Sequence, residues 1–298
     1  MLEVENLVKY YGDLRALNNL SFKVKEGEIF GLLGLNGSGK TTTFRIIMGL
    51  LEQTSGKVTL NGKKIDYSIT DTIGFLPEER SLLTKLTVLD QVIFYGRLKG
   101  LKEEDIEKKL DYYLEKFGIL EYKNKKIKEL SKGNQQKIQF ITSIINNPKL
   151  LILDEPFSGL DPINIELFKK EILELANKGS IIIFSSHRMD HVELFCKKIA
   201  VLVKGENVLS GNLLDIKEKY KKKNIIVRGN IDIEDVKKID GVIDVSFNEI
   251  EYKIKVADID VTKKVFDKIK KYDITKYVIE ESSLEEIFID KVGVAYEK

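Results

Sequence analysis

The chain has 298 residues, 43% hydrophobic and 32% charged, a composition that fits a soluble globular protein with room for two domains. Its formal net charge of +2 gives no electrostatic case for nucleic-acid binding, and the lysine-rich runs 123–132 and 217–223 read as solvated faces and linkers. A single cysteine, Cys196, excludes an intramolecular disulfide and a two-cysteine metal knuckle, and reads as a small apolar residue on a helix over 190–198.

The opening MLEVENLVKYYG carries carboxylates and no apolar h-region, so it does not read as a signal peptide. No apolar run approaches the roughly 18 residues that span a bilayer. Short β-branched runs then alternate with amphipathic helices to about residue 210, which predicts an α/β layer. Strands are expected at 28–33, 58–60, 72–76, 150–153, 180–184 and 199–203, with a helix at 40–50. Residues 88–116 place Leu, Ile and Tyr three and four apart and read as a helical insertion. A basic stretch at 217–223 separates a tail that reads strand–helix–strand–strand–helix–strand, closed by a helix at 283–292. That order predicts a small ferredoxin-like α+β domain.

Residues 34–41, GLNGSGKT, fit GxxxxGK[ST] between an expected strand and an expected helix, the context this phosphate loop requires. Gly37 and Gly39 let backbone N–H groups turn inward around phosphates, and the helix N-terminus adds partial positive charge. The expected nucleotide contacts are Gly34, Leu35, Asn36, Gly37, Ser38, Gly39, Lys40, Thr41 and Thr42. Lys40 reaches the β- and γ-phosphates and Thr41 places its hydroxyl on Mg²⁺. The loop alone does not separate a kinase, a GTPase and an ATPase. Residues 150–155 do: a buried strand ends in Asp154, placed to hold Mg²⁺, and Glu155, placed to polarise the attacking water, an effect of about 10²–10⁴-fold. The nearest string to a guanine reader, NKGS at 177–180, lacks the aspartate.

With these motifs in order, residues 1 to about 215 resemble the ATP-binding subunit of an ATP-binding-cassette (ABC) transporter. The resemblance implies a P-loop NTPase α/β cassette over 1–216, with a RecA-like core, an antiparallel β subdomain and a helical subdomain at about 79–147. A C-terminal accessory α+β domain follows over 224–298. It puts the adenine-stacking aromatic at Tyr11, which otherwise reads as an exposed hairpin tyrosine. It puts Glu78 where the family usually has a glutamine that contacts Mg²⁺ and links the site to the membrane partner. The signature falls on LSKGN, where the family commonly has LSGGQ. Ser131, Lys132 and Gly133 there face a γ-phosphate bound to a second copy, although Ser131 also reads as an ordinary N-cap. Asp161 closes a dimer-contact loop at 158–161, and His187 is the switch histidine that senses the γ-phosphate.

The function so implied is that of a subunit that binds and hydrolyses ATP with Mg²⁺ and dimerises around two MgATP. It powers a separate integral-membrane permease from the cytoplasmic face of the cell membrane, with no nucleic acid as partner. LPEER followed by LTVLDQVIFYGRLKG, and SLEEIFID at 283–290, resemble the stand-alone cassettes of sodium- and drug-export systems. The alternative is a soluble cassette ATPase acting on ribosomes or DNA. Against it stand the single glycine loop and the lack of coiled-coil-length or zinc-binding insertions. Residues 224–298 hold no cluster with ligand spacing, so an apolar dimerisation face is favoured there over a regulatory ligand site.

Overall fold

The chain opens with two long paired strands, β1 (Leu2–Tyr11) and β2 (Leu14–Val24). Periodicity does not reveal them, because register shifts after Val4, Leu7 and Lys9 interrupt the alternation of buried and exposed side chains. β3 (Ile29–Gly34) is buried through Leu33 and delivers the chain into the glycine loop and α1 (Lys40–Ile47). This helix ends before the expected residue 50, since Gly49 adopts a left-handed φ of 71°. β4 (Ser55–Leu60), β5 (Lys63–Lys64) and β6 (Ile73–Leu76) follow. The helical region contains α2 (Val88–Leu98), α3 (Glu103–Lys116) and α4 (Lys132–Ile144). β7 (Leu150–Asp154), α5 (Pro162–Asn177), β8 (Ile181–Ser185), α6 (Met189–Phe195), β9 (Lys198–Val203) and β10 (Glu206–Asn212) complete this part. Cys196 is buried, and it follows α6 instead of lying on the helix expected over 190–198.

Two sheets result. One is antiparallel, in the order β2-β1-β4-β5; the other runs β10-β9-β3-β8-β7-β6, with β9, β3, β8, β7 and β6 parallel. One core joins them: Leu2, Leu7 and Leu20 of the first sheet cluster with Phe44 and Ile47 of α1 and with Ile152 and Ile183 of the second. Phe22 stacks on Phe30 at 4.8 Å between ring centroids. A second core is phenylalanine-rich. Phe117, Phe140 and Phe168 pack successively, and Phe157 bridges Phe168 to Phe184 of β8.

This computed structural model describes residues 1–297 and divides into two units, Met1–Ser210 and Gly211–Lys298. Residue 298, the expected end of the second domain, lies outside the described residues. The second unit contains α7 (Leu213–Lys219), β11 (Lys223–Gly229), α8 (Ile233–Lys237), β12 (Val242–Phe247), β13 (Tyr252–Val256), α9 (Ile259–Ile269), β14 (Ile274–Glu281) and α10 (Leu284–Glu297). Its sheet order is β12-β13-β11-β14, the ferredoxin-like arrangement. Ile225, Val227, Ile254 and Val256 pack against Val261, Val265 and Ile269 of α9 in a core of its own. Among the described residues no helix is long and apolar enough to cross a membrane.

Candidate functional site

Parallel strands with crossovers leave a crevice at their C-terminal ends, and the chemistry-bearing residues of the first unit collect there. The loop after β3 turns at Gly37, whose φ of 78° suits glycine and beside which a Cβ would meet nothing. Gly39 is a glycine for a second reason. At φ 107° a Cβ would stand 2.7 Å from Leu17 and 2.9 Å from the Ala16 carbonyl, so β2 lies against the loop. Leu35, Asn36 and Gly37 are exposed, Ser38 is buried with its hydroxyl unpartnered, and Lys40 donates to the carbonyls of Gly34 (2.7 Å) and Leu35 (3.2 Å). Thr41 and Thr42 sit in the first turn of α1, which has neither a side-chain cap nor an acidic residue in its first turn. An anion therefore meets first-turn N–H groups that no side chain has claimed.

β7 sets Asp154 and Glu155 opposite this loop. Asp154 ends the strand and accepts a hydrogen bond from Ser185 at the end of the neighbouring β8. Burial pushes its carboxyl up; the Ser185 hydroxyl and Lys40 pull it back, and Glu78 adds to the rise. Glu155 is buried in a left-handed conformation at φ 49°, with its N–H donating to Ser185 O at 3.1 Å. Its Oε2 accepts from Ser186 Oγ at 3.1 Å, and its Oε1 accepts from His187 N at 2.5 Å and lies 2.9 Å from His187 Nδ1. Burial raises this carboxyl too, against the pull of His187 and Ser186. Lys40 is lowered by burial and raised in turn by Asp154, Glu155 and Glu78, so all three carboxylates act on the loop's ammonium. A strained non-glycine backbone held by three surrounding groups is an arrangement found where chemistry is done. No sequence motif marks Ser185 and Ser186 as site residues. Their only signal is the SSH string around His187.

The other expected residues fall in three places. Tyr11 is exposed where the β1–β2 hairpin turns, and the hairpin's second strand is the one that touches the loop. Ser131 caps α4 by accepting from Asn134 N at 3.3 Å, so the N-cap reading holds; Ser131 and Lys132 are exposed. Gly133 faces the Gly159 carbonyl, which brings the signature beside the 158–161 stretch. There Asp161 caps α5, accepting from Asn164 N at 2.9 Å, and that N–H holds its carboxyl below the usual range. Glu78 is exposed just after β6. Gln139 of α4 donates to Pro77 O and Glu79 O at 3.1 and 3.2 Å, and Gln136 donates to Pro156 O at 3.0 Å. Two buried glutamines that belong to none of the sequence motifs thus tie the signature helix to the segments of Glu78 and Glu155.

Residues 17–158 match the protein family described as ABC transporter, and residues 211–292 match the DrrA1-3-like ATP-binding protein C-terminal domain. The chain is 45% identical to the uncharacterised ABC transporter ATP-binding protein YhaQ of Bacillus subtilis, over 100% of both chains. It is 30% identical to the linearmycin resistance ATP-binding protein LnrL of the same organism, over 98% of each. A solved dimeric bacterial ABC transporter cassette superposes with a TM-score of 0.66 at 28% identity, covering 72% of this chain and 99% of that one.

Proposed function

This chain belongs to the ABC transporter ATP-binding family and is an ATPase coupled to transport; we propose that it works as a dimer closed around two MgATP and drives a separate membrane permease in the direction of export. The observation that carries the reading is Glu155, a buried carboxylate fixed by Ser186 and His187 beside Asp154 and facing the phosphate loop. The solved dimeric cassette supports the dimer, and the likeness to a resistance protein supports export.

The residues fit Mg²⁺ only in part, as this family's chemistry requires. Among the described residues no group of three His, Cys, Asp or Glu is placed to hold a metal ion, and a bound Mg²⁺ would draw its remaining ligands from oxygens outside the protein. Thr41, Asp154 and Glu78 are the residues that would hold the ion. When bound, it neutralises charge on the β- and γ-phosphate oxygens. Lys40 and the first turn of α1 bind the phosphates, and Tyr11 offers its ring to the adenine. Glu155 takes the proton of the attacking water, and His187 positions Glu155. The signature residues Ser131, Lys132 and Gly133, with Asp161, meet the nucleotide of the other copy.

A groove in the helical region supports the permease reading. A cavity of about 240 Å³ lies between β6 and the helices α2 and α4, lined by Phe75, Leu82, Gln91, Tyr95 and Gln139 among others. Gln91 Nε2 and Gln139 Oε1 are buried and unpartnered in its walls, so a docked peptide segment would satisfy a donor and an acceptor once these amides turned towards it. Gln139 also holds the backbone beside Glu78, so a load on this groove reaches the site. The chain then sits on the cytoplasmic face of the membrane as a peripheral subunit.

Glu155→Gln is expected to abolish turnover while retaining ATP binding. When the tagged variant is purified from native membranes with MgATP, a polytopic membrane protein should come with it in stoichiometric amount. Recovery with ribosomes or DNA and no membrane protein would overturn the permease reading.

A further inference from the structure

β14 is an edge strand. It pairs with β11 on one side, through Ile225↔Ile279, Val227↔Tyr277 and their neighbours, and among the described residues the sheet ends there. Edge strands in stable monomers are usually short, bulged, charged or interrupted by proline, because their outer N–H and C=O groups are a template for another strand. The opposite edge obeys this rule: β12 has six residues, a register shift between Val242 and Asp244, and that aspartate at mid-strand. β14 does not. It runs for eight residues without proline and carries Tyr277, Val278 and Ile279 in succession, the last two 38% and 44% exposed.

The sequence of β14 is also complementary to itself. Opposite residues in an antiparallel pair share a face, so a two-fold seam can be centred on one residue with its neighbours matched in mirror order. Centring on Val278 sets Lys276 against Glu280 and Tyr277 against Ile279, each twice. Centring on Tyr277 sets Lys276 against Val278 and Ile274 against Glu280; centring on Ile279 sets Val278 against Glu280. Only the first register matches charge with charge and apolar with apolar. On the helix-facing side, Phe266 packs edge-on to Tyr277 at 5.1 Å, and the two rings line a shallow recess with Ile279. A partner's side chain at 279 extends that apolar strip. Lys276 already donates to Glu251 at 3.0 Å, and its ammonium has donors to spare.

We propose that β14 pairs with β14 of a second copy of this chain, antiparallel about Val278, joining two four-stranded sheets into one of eight. The seam needs no nucleotide. It holds two chains together at high effective concentration, so closure of their cassettes around ATP becomes an intramolecular event.

The test is the self-association of the full nucleotide-free chain, followed by sedimentation over a range of concentrations. A reversible dimer is expected. Lys276→Glu and Glu280→Lys each set like charges opposite one another twice and should weaken it by about tenfold. The double variant carrying both reversals should restore it, which a merely damaged fold would not do. Val278→Cys should give a disulfide-linked dimer on oxidation, whereas Ile243→Cys on the opposite edge should not; the native Cys196 is buried. A chain monomeric at every concentration, or a dimer indifferent to both single reversals, overturns the proposal. The MgATP-dependent dimer of Glu155→Gln is read separately. Its absence would count against the cassette reading and leave this seam standing.

Discussion

Glu155 is buried with a left-handed backbone, and burial pushes its carboxyl above 4.5, the ordinary glutamate value. A protonated carboxyl cannot take a proton from water, so kcat is expected to fall as the pH drops through this raised value. Ser186→Ala removes a donor that favours the ionised form, and should move the acid limb of the pH–rate profile further up. An unmoved limb in that variant would show that Glu155 is not the group titrating. Stability carries the opposite sign. With the folded value above the unfolded one, the native chain holds more protons in that window, and stability is lost as the pH rises through it. The carboxylates themselves were legible, since an apolar strand ending in two acids after a phosphate loop is a distinctive string. The serines that hold them were not, because their partners stand 31 residues away and a serine carries no periodic signal.

Between elements, Lys116 at the end of α3 reaches Glu171 of α5 at 2.5 Å and Glu174 at 2.9 Å. Glu171 is only 1% exposed. Burial alone would lower the Lys116 ammonium, but the two carboxylates more than reverse this and raise it. Lys116→Met leaves a buried carboxylate without its cation and is expected to cost about 3–5 kcal/mol by denaturant unfolding. The pair replacement Lys116→Met with Glu171→Met should recover most of that loss, and a double variant as weak as the single one would refute the clamp. The helical pattern of 88–116 was readable; its division into α2 and α3 rests on Gly100, left-handed at φ 76°. β1 and β2 were not readable, because their register shifts break the period-two signal.

At the scale of the whole molecule, the two units have separate cores, one around Phe44 and Ile183 and one around Ile225 and Val265. Two transitions are therefore expected in calorimetry of the full chain. MgATP binds the first unit in the proposed function, so it should raise that unit's transition and leave the other in place. At a hundredfold excess over Kd the gain is about 2.7 kcal/mol. A single transition that shifts as one would show the units to be energetically fused.

The sequence by itself determined the cassette's chemistry. GLNGSGKT and LLILDEP carry their meaning in adjacent residues, and local spacing fixes a loop, a helix start and a strand end without reference to the rest of the chain. It also determined the ferredoxin-like element order of the second unit. Tertiary structure alone decided who holds whom: Ser185 with Asp154, Lys116 with Glu171 across 55 residues, and Gln139 with the backbone beside Glu78. It also decided that β14, and not a buried strand, ends its sheet. Periodicity tells a residue which way to face. Which partner it meets, and which strand is left without one, is settled only when distant segments pack.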